Sequence, residues 1–440
     1  MRASALAAAE LFGRAKRRPE SLRAPADLAG AMNIRRALVA CVVVWATTSC
    51  KGGVDDERRT SLPLFDISEQ PIWVMADDGD PDRLFSDISV RRLPGGRLVI
   101  GDQGGTPLRV FDRERRLQRI LAGRGRGPAE LSGRFLLTLY GDTVFTFGQP
   151  PMGPPDVKAF SPARGYLWSV RPRVDTVPLV TPLDRLSTGE LLVQRGMTFR
   201  VLSSAPELGK LTPDTVRYGL FSNVRDGEDG TMTWFELATR QWFFSYRWPN
   251  GPIPTAIDPY PFAGGVVVVV SQDRVWFVDK GTGETRAFDG SGESVVSVRL
   301  SLRPQPFDEP GLERCRTRAL AAAGSPVDSA KVQAMFDAGL LPRTMPLVST
   351  VSPGPDGEIW VRLFTLDERE AQRFLVLSRN GVEIGTATLP AGIEVQQIGS
   401  DFVLGVKRDD TGLESVLEYA LNRPSADGAS VATRQPVPKR

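Results

Sequence analysis

The residues that could move a proton, hold a metal or attack a carbonyl come first, and one type is missing: the 440-residue chain has no histidine. That removes a Ser-His-Asp triad, a Cys-His pair, a His-ligated zinc and an imidazole general base. Carboxylate, thiol and calcium chemistry remain. Asp78-Gly79-Asp80-Pro81-Asp82 alternates oxygen donors as a calcium loop does, but Arg83 stands where the sharp turn wants glycine and Ser89 where the bidentate Glu belongs. It reads as a solvated turn. The glycines of Gly123-Arg124-Gly125-Arg126-Gly127 invite a phosphate loop, yet no Lys-Ser or Lys-Thr follows, and Pro128 replaces the last glycine of a dinucleotide fingerprint. This stretch reads as a loop whose glycines supply positive φ. Asp66 and Asp409-Asp410 read as surface and turn carboxylates rather than an acid–base pair. No catalytic residue and no metal ligand is assigned.

The three cysteines, Cys41, Cys50 and Cys315, divide by position. Met32-Asn33-Ile34-Arg35-Arg36 followed by the uncharged run Ala37–Ala46 and then Thr47-Thr48-Ser49-Cys50 has the basic start, short apolar core and small-residue break of an export signal. The apolar core is too short for an ordinary membrane span. Cys50 sits where a lipobox cysteine would sit, with Thr47 in place of the usual leucine. Leu38-Val39-Ala40-Cys41 fits that box better by letter, but it leaves only four residues of core after Arg36. The lipidation site is therefore Cys50, with residues 1–31 an over-called start, 32–49 the signal peptide and 50–61 a polar tether. Residues 1–49 hold eight basic and three acidic side chains, so the remainder, with 47 basic and 49 acidic, is nearly neutral. No Lys/Arg run with interleaved aromatics is left to grip a phosphate backbone, so no nucleic-acid partner is expected. Cys315 falls with Leu312 and Ala319 on one stripe of a helix and reads as a packing residue.

The elements that must position any site are strands. Six times a turn signal runs into an apolar strand: at Gly95-Gly96, Gly141-Asp142, Gly189, Gly264-Gly265, Gly357 and Gly399-Ser400. Such hairpin starts, repeated at long spacing, point to a radial array of small sheets. The steps of 46, 48 and 42 residues (Gly95 to Gly141, Gly141 to Gly189, Gly357 to Gly399) match a propeller repeat of about 40 to 50. Those from Gly189 to Gly264 and Gly264 to Gly357, 75 and 93, call for insertions or a seventh blade. The aromatic-rich run Trp234–Trp248 must be strand. Residues 308–342 read as a helical hairpin, with Gly324 ending the first helix and Ser325-Pro326 opening the second. The last unit supplies only about three strands, so Leu64–Ile67 or Pro71–Val74 would complete it and remove a free edge. Residues 423–440 are Pro- and Ala-rich and read as a disordered tail.

Gly101-Asp102-Gln103-Gly104 followed by Leu108-Arg109-Val110-Phe111-Asp112, then Gly127-Pro128-Ala129-Glu130-Leu131, and near the end Asp356-Gly357-Glu358-Ile359-Trp360-Val361 resemble the six-bladed β-propeller lipoproteins of bacteria, which are related to NHL-repeat proteins. Ala129 and Leu131 depart from the usual pattern. The resemblance runs from about Leu62 to Asn422. It implies an all-β, six-bladed propeller over 62–422, four antiparallel strands per blade, with the helical insertion and closure by the N-terminal strand. It also implies a cell-envelope location facing the periplasm or the exterior.

Two functions follow as expectations. The first is an exported, lipid-anchored binding or scaffolding module for a protein, peptide or glycan. The alternative is a calcium-dependent, carboxylate-based hydrolase or lactonase of the gluconolactonase type, which needs no histidine. Three or more Asp, Glu or Asn oxygens converging at the channel mouth would favour the enzyme. An apolar or arginine-lined mouth would count against it.

Overall fold

The computed structural model describes residues 62–75, 87–103, 107–149, 156–171, 180–195, 211–222, 232–247, 255–259, 265–321, 326–337, 344–367, 369–409 and 411–424. The residues read as start, signal peptide and tether (1–61, with Cys50), the Asp78–Asp82 segment, Asp410 and residues 425–440 lie outside them. The described chain is mostly β. Its strands fall into antiparallel meanders preceded by two short strands, β1 (Leu64–Ile67) and β2 (Trp73–Met75).

The first meander is β3 (Ile88–Arg92), β4 (Leu98–Asp102), β5 (Leu108–Phe111) and β6 (Leu117–Arg124), with β7 (Glu130–Leu131) added parallel to β6. The second is β8 (Arg134–Tyr140), β9 (Thr143–Gln149), β10 (Asp156–Ser161) and β11 (Gly165–Val170). The third has five strands, β12 (Val180–Arg185), β13 (Leu191–Arg195), β14 (Leu211–Phe221), β15 (Met232–Arg247) and β16 (Thr255–Pro259), the aromatic-rich run being β15. The fourth is β17 (Val266–Ser271), β18 (Arg274–Asp279), β19 (Glu284–Phe288) and β20 (Ser294–Arg299). Two helices follow it, α1 (Glu309–Ala321), which buries Cys315, and α2 (Pro326–Asp337). The fifth meander is β21 (Val348–Pro353), β22 (Ile359–Leu363), β23 (Gln372–Leu377) and β24 (Glu383–Leu389). The last comprises β25 (Ile393–Ile398), β26 (Phe402–Arg408) and β27 (Glu414–Asn422), and β2 pairs antiparallel with β27 as its fourth strand.

Burial explains why these segments read as strands. The second and third strands of a meander are covered on both faces, so β4 (LVIGD) and β5 (LRVF) are buried at every position. Outer strands alternate or are largely exposed, as in β20. Adjacent meanders share one apolar layer each. Val99, Leu108 and Val110 of the first pack on Phe135, Leu137 and Phe160 of the second. Phe145 and Phe147 then meet Leu191 and Val193, Tyr218 and Phe235 meet Phe277 and Phe288, and Trp276 and Val278 meet Val348 and Ile359. Trp360 and Phe374 pack on Val403 and Tyr419. The last layer joins Leu404 and Val416 back to Ile88, Val90 and Leu98 of the first meander. The first strands repeat this order: β3 lies against β8, β8 against β12, β12 against β17, β17 against β21, β21 against β25, and β25 against β3. Each fully buried Leu or Phe in these layers contributes roughly 2 kcal/mol.

β1 joins two meanders. It pairs parallel with β24 (Leu64 opposite Thr386) and antiparallel with β27 (Ile67 opposite Leu421), making one sheet of the last two meanders. Gly385 permits this, since a Cβ there would stand 2.4 Å from the Phe65 ring. Asp66 serves the same junction by accepting a hydrogen bond from Asn422 Nδ2 at 3.3 Å.

The hairpin starts need one correction. Five of the six introduce second strands (β4, β9, β13, β22 and β26), but Gly264-Gly265 leads into β17, the first strand of its meander. The equivalent turn there is Gln272-Asp273, where Gln272 takes the left-handed conformation at φ +57° that glycine holds in the Leu186–Glu190 turn.

Candidate functional site

Most buried charges in this protein are committed to joining meanders. Glu418 of β27 accepts hydrogen bonds from Trp73 Nε1 of β2 at 2.8 Å and from Arg92 of β3 at 2.7 Å, with Arg115 at 3.6 Å stacked over the Trp73 ring. Glu414 accepts from the Ile88 amide and from Arg408. Glu358 takes both Nη groups of Arg423, at 2.8 and 3.0 Å, together with Trp360 Nε1. Asp102 and Arg109, from the stretch that carries the family resemblance, form a buried ion pair at 2.8 Å. These groups are satisfied by neighbouring strands and act as fasteners.

The glycine-rich stretch is also structural, though for a different reason from the one expected. None of Gly123, Gly125 and Gly127 is among the positive-φ residues. Instead the Glu130 carboxylate folds back over the chain, accepting from the Gly127 amide at 2.7 Å, and a Cβ on Gly125 would lie 2.0 Å from its Oε2. Lys158 of β10 donates to the carbonyls of Gly127 and Glu130 and latches the loop to the second meander. Asp409 holds its own turn, accepting from the amides of Thr411 and Leu413 and from the Thr411 hydroxyl, which keeps its carboxyl below the usual range.

A different set of polar groups lies on the first strands, and it is only partly satisfied. β8 puts Leu136, Thr138 and Tyr140 on one face, with Leu136 and Tyr140 exposed, while Phe135 and Leu137 on the other face are buried. β3 brings Arg91, β12 brings Asp184, and β25 brings Glu394 and Gln396. Bulges interrupt the ladder beside two of these positions, between Pro182 and Asp184 on β12 and between Val395 and Gln397 on β25. An extra residue at such a point re-aims the side chains that follow it.

Arg91 Nη1 donates to the Val90 carbonyl at 2.9 Å and lies 3.4 Å from Gln396 Oε1. Burial pulls its guanidinium below the ordinary value, and the charges of Asp184 and Glu394 partly restore it. Asp184 feels the converse. Burial pushes its carboxyl up to about 6, against the lowering effect of the Arg185 amide at 2.8 Å, the Arg91 charge and the Thr138 hydroxyl. Arg91 and Asp184 act on each other through space. Asp184 is half-buried.

The chemistry available is polar recognition: a guanidinium, two carboxylates, a hydroxyl and an amide, beside the exposed Tyr140 ring. Calcium fits this set poorly. The set offers the carboxylates of Asp184 and Glu394 with the positive charge of Arg91 acting on both, and among the described residues no three His, Cys, Asp or Glu side chains are grouped to hold a metal ion. None of the residues weighed from the sequence belongs to the axial cluster. The nearest sequence signal was the placing of Arg91 and Asp184 in short strands where an apolar residue would be ordinary.

No protein-family model matches the chain, and no curated protein matches it. Among solved structures, it is similar to an exported protein from Bacteroides fragilis at 13% identity and a TM-score of 0.43, covering 82% of this chain and 96% of that one. A member of the DUF4221 family from Bacteroides vulgatus is similar at 9% identity and a TM-score of 0.43, covering 82% and 99%. A calcium-binding regucalcin from Agrobacterium tumefaciens is similar at 10% identity and a TM-score of 0.34, covering 82% and 96%.

Proposed function

We propose that the chain is an exported, six-bladed β-propeller lipoprotein, attached to a membrane through Cys50, that binds a protein, peptide or glycan at its axis. The cyclic order of shared apolar layers supports the six-bladed reading, with β2 completing the last blade and the helices inserted before the fifth. The leader supports export. One observation carries the binding reading: Arg91, Thr138, Asp184 and Glu394 come from four adjacent first strands to one axis, where Asp184 holds a carboxyl that burial disfavours. A group kept against its own solvation is the mark of a site.

The test is crosslinking of the anchored protein in its own envelope, wild type against Arg91→Gln and Asp184→Asn. A partner captured by the wild type and lost from both variants, with folding intact, supports the axial reading. Equal capture by all three refutes it. The anchor is tested separately: Cys50→Ser releases the protein from membranes, and unchanged retention means that Cys50 carries no lipid. The calcium-dependent hydrolase is the weaker reading, because the Arg91 guanidinium lies among Asp184, Glu394 and Gln396 and its positive charge opposes a cation there.

A further inference from the structure

The first strands give the channel an order. Reading round the cycle, Glu394 and Gln396 on β25 come next to Arg91 on β3, then Thr138 on β8, then Asp184 on β12. The other two strands bring no charge: β17 carries only valines before Ser271, and β21 carries Val348, Ser349, Thr350, Val351, Ser352 and Pro353. On the described first strands Glu394, Arg91 and Asp184 therefore follow one another as minus, plus, minus, while Arg134, farther along the Thr138 face of β8, lies 3.9 Å from Asp87.

Two features show that this set is open. Arg91 spends Nη1 on Val90 and Gln396, while Nε and Nη2 meet no acceptor among the described residues. Asp184 receives the Arg185 amide and the Thr138 hydroxyl but no cation in contact. β8 stands between β3 and β12, and the two opposite charges act on each other from strands that flank it. A guanidinium with two donors in hand suits a carboxylate, and a carboxylate lacking a cation suits an ammonium.

Resting on the axial reading above, we infer that the site takes a zwitterionic ligand, a free amino acid or a short peptide with both termini unblocked. Arg91 receives its carboxylate, and Asp184, with Glu394 beyond Arg91, receives its ammonium. Because Asp184 must be ionised to pair with the ammonium, binding weakens as the solution is acidified through about pH 6.

Isothermal titration of the protein with the dipeptide Ala-Ala, its N-acetyl derivative and its C-terminal amide tests this. The free dipeptide should bind at pH 7.5, each blocked form at least tenfold more weakly, and the free form about tenfold more weakly at pH 5. Arg91→Gln should remove the preference for a free carboxylate, and Asp184→Asn the pH dependence. Absence of binding by Ala-Ala, or equal binding of the blocked forms to the wild type, overturns the inference. If crosslinking still captures a partner through the axis, only the ligand class fails and the axial binding site stands.

Discussion

Replacing Asp184 with asparagine should make the protein more stable, by an amount set by pH. Its carboxyl is raised from 3.8 to about 6, chiefly by burial. The folded state therefore binds a proton more tightly than the unfolded chain does. A group shifted in this direction stabilises fully below its unfolded value, and that contribution is lost as pH rises through the folded one. The shift is roughly two units, and each unit is worth about 1.4 kcal/mol, so the ionised side chain destabilises the neutral-pH protein by about 3 kcal/mol. The attraction to Arg91 and the hydrogen bonds from Arg185 and Thr138 already sit within that net figure. Asparagine keeps an acceptor for the Arg185 amide and carries no charge. Urea unfolding at fixed ionic strength should show Asp184→Asn about 3 kcal/mol more stable near pH 8, with the gap narrowing through pH 6 and closing near pH 4. Both proteins should share the same denaturant slope. Asp112, Asp289 and Asp409 titrate with the opposite sign, since hydrogen bonds within their turns lower their carboxyls. They are common to both proteins and cancel in the difference. A variant less stable than wild type at pH 8, or a gap that ignores pH, would refute the reasoning.

Four further substitutions test the junctions between meanders. Glu418→Ala strands the Trp73 ring N–H and the Arg92 guanidinium at a buried junction and should destabilise by about 3 kcal/mol in urea unfolding. Arg423→Met should lose a comparable amount, about 3 kcal/mol, because Glu358 is left buried without its two-pronged partner. Arg423→Lys should recover less than half of that loss, since an ammonium cannot reproduce the fork. Gly385→Ala forces a methyl group against the Phe65 ring and the Pro63 carbonyl, so it should cost about 2 kcal/mol and speed amide exchange at residues 64–67.

The sequence was most legible where strands are covered on both faces. Runs such as Leu98–Ile100, Val275–Val278 and Phe374–Leu377 are apolar without interruption because neighbouring meanders press on each side. It was least legible where a turn departs from glycine. Gln272 and Arg115 take positive φ with ordinary side chains, so the turns they form carry no compositional mark. The Gly123–Gly127 stretch misleads in the opposite way, its glycines making room for Glu130 rather than bending the chain. The axial cluster has no local motif beyond the charged Arg91 and Asp184 in short strands. Its members are separated by as many as 305 residues, as Arg91 and Gln396 are, and only the cyclic order of first strands brings them together. Local spacing cannot encode an arrangement that the last meander completes.

The pairing of β1 and β2 with β24 and β27 also sets the order in which the chain can fold. Trp73 and Glu418 are 345 residues apart, so the segment that leaves the ribosome first finds its partners last. Every other meander pairs strands close in sequence and can form as its residues appear. The closing contacts must wait for the whole chain and bear the entropy of joining its ends. Until then the edges of β24 and β27 stay bare, and a second copy's β1 or β2 would fit them as well as the chain's own. Folding therefore ends in a race between a chain's two ends and its neighbours, which dilution should tip toward the monomer.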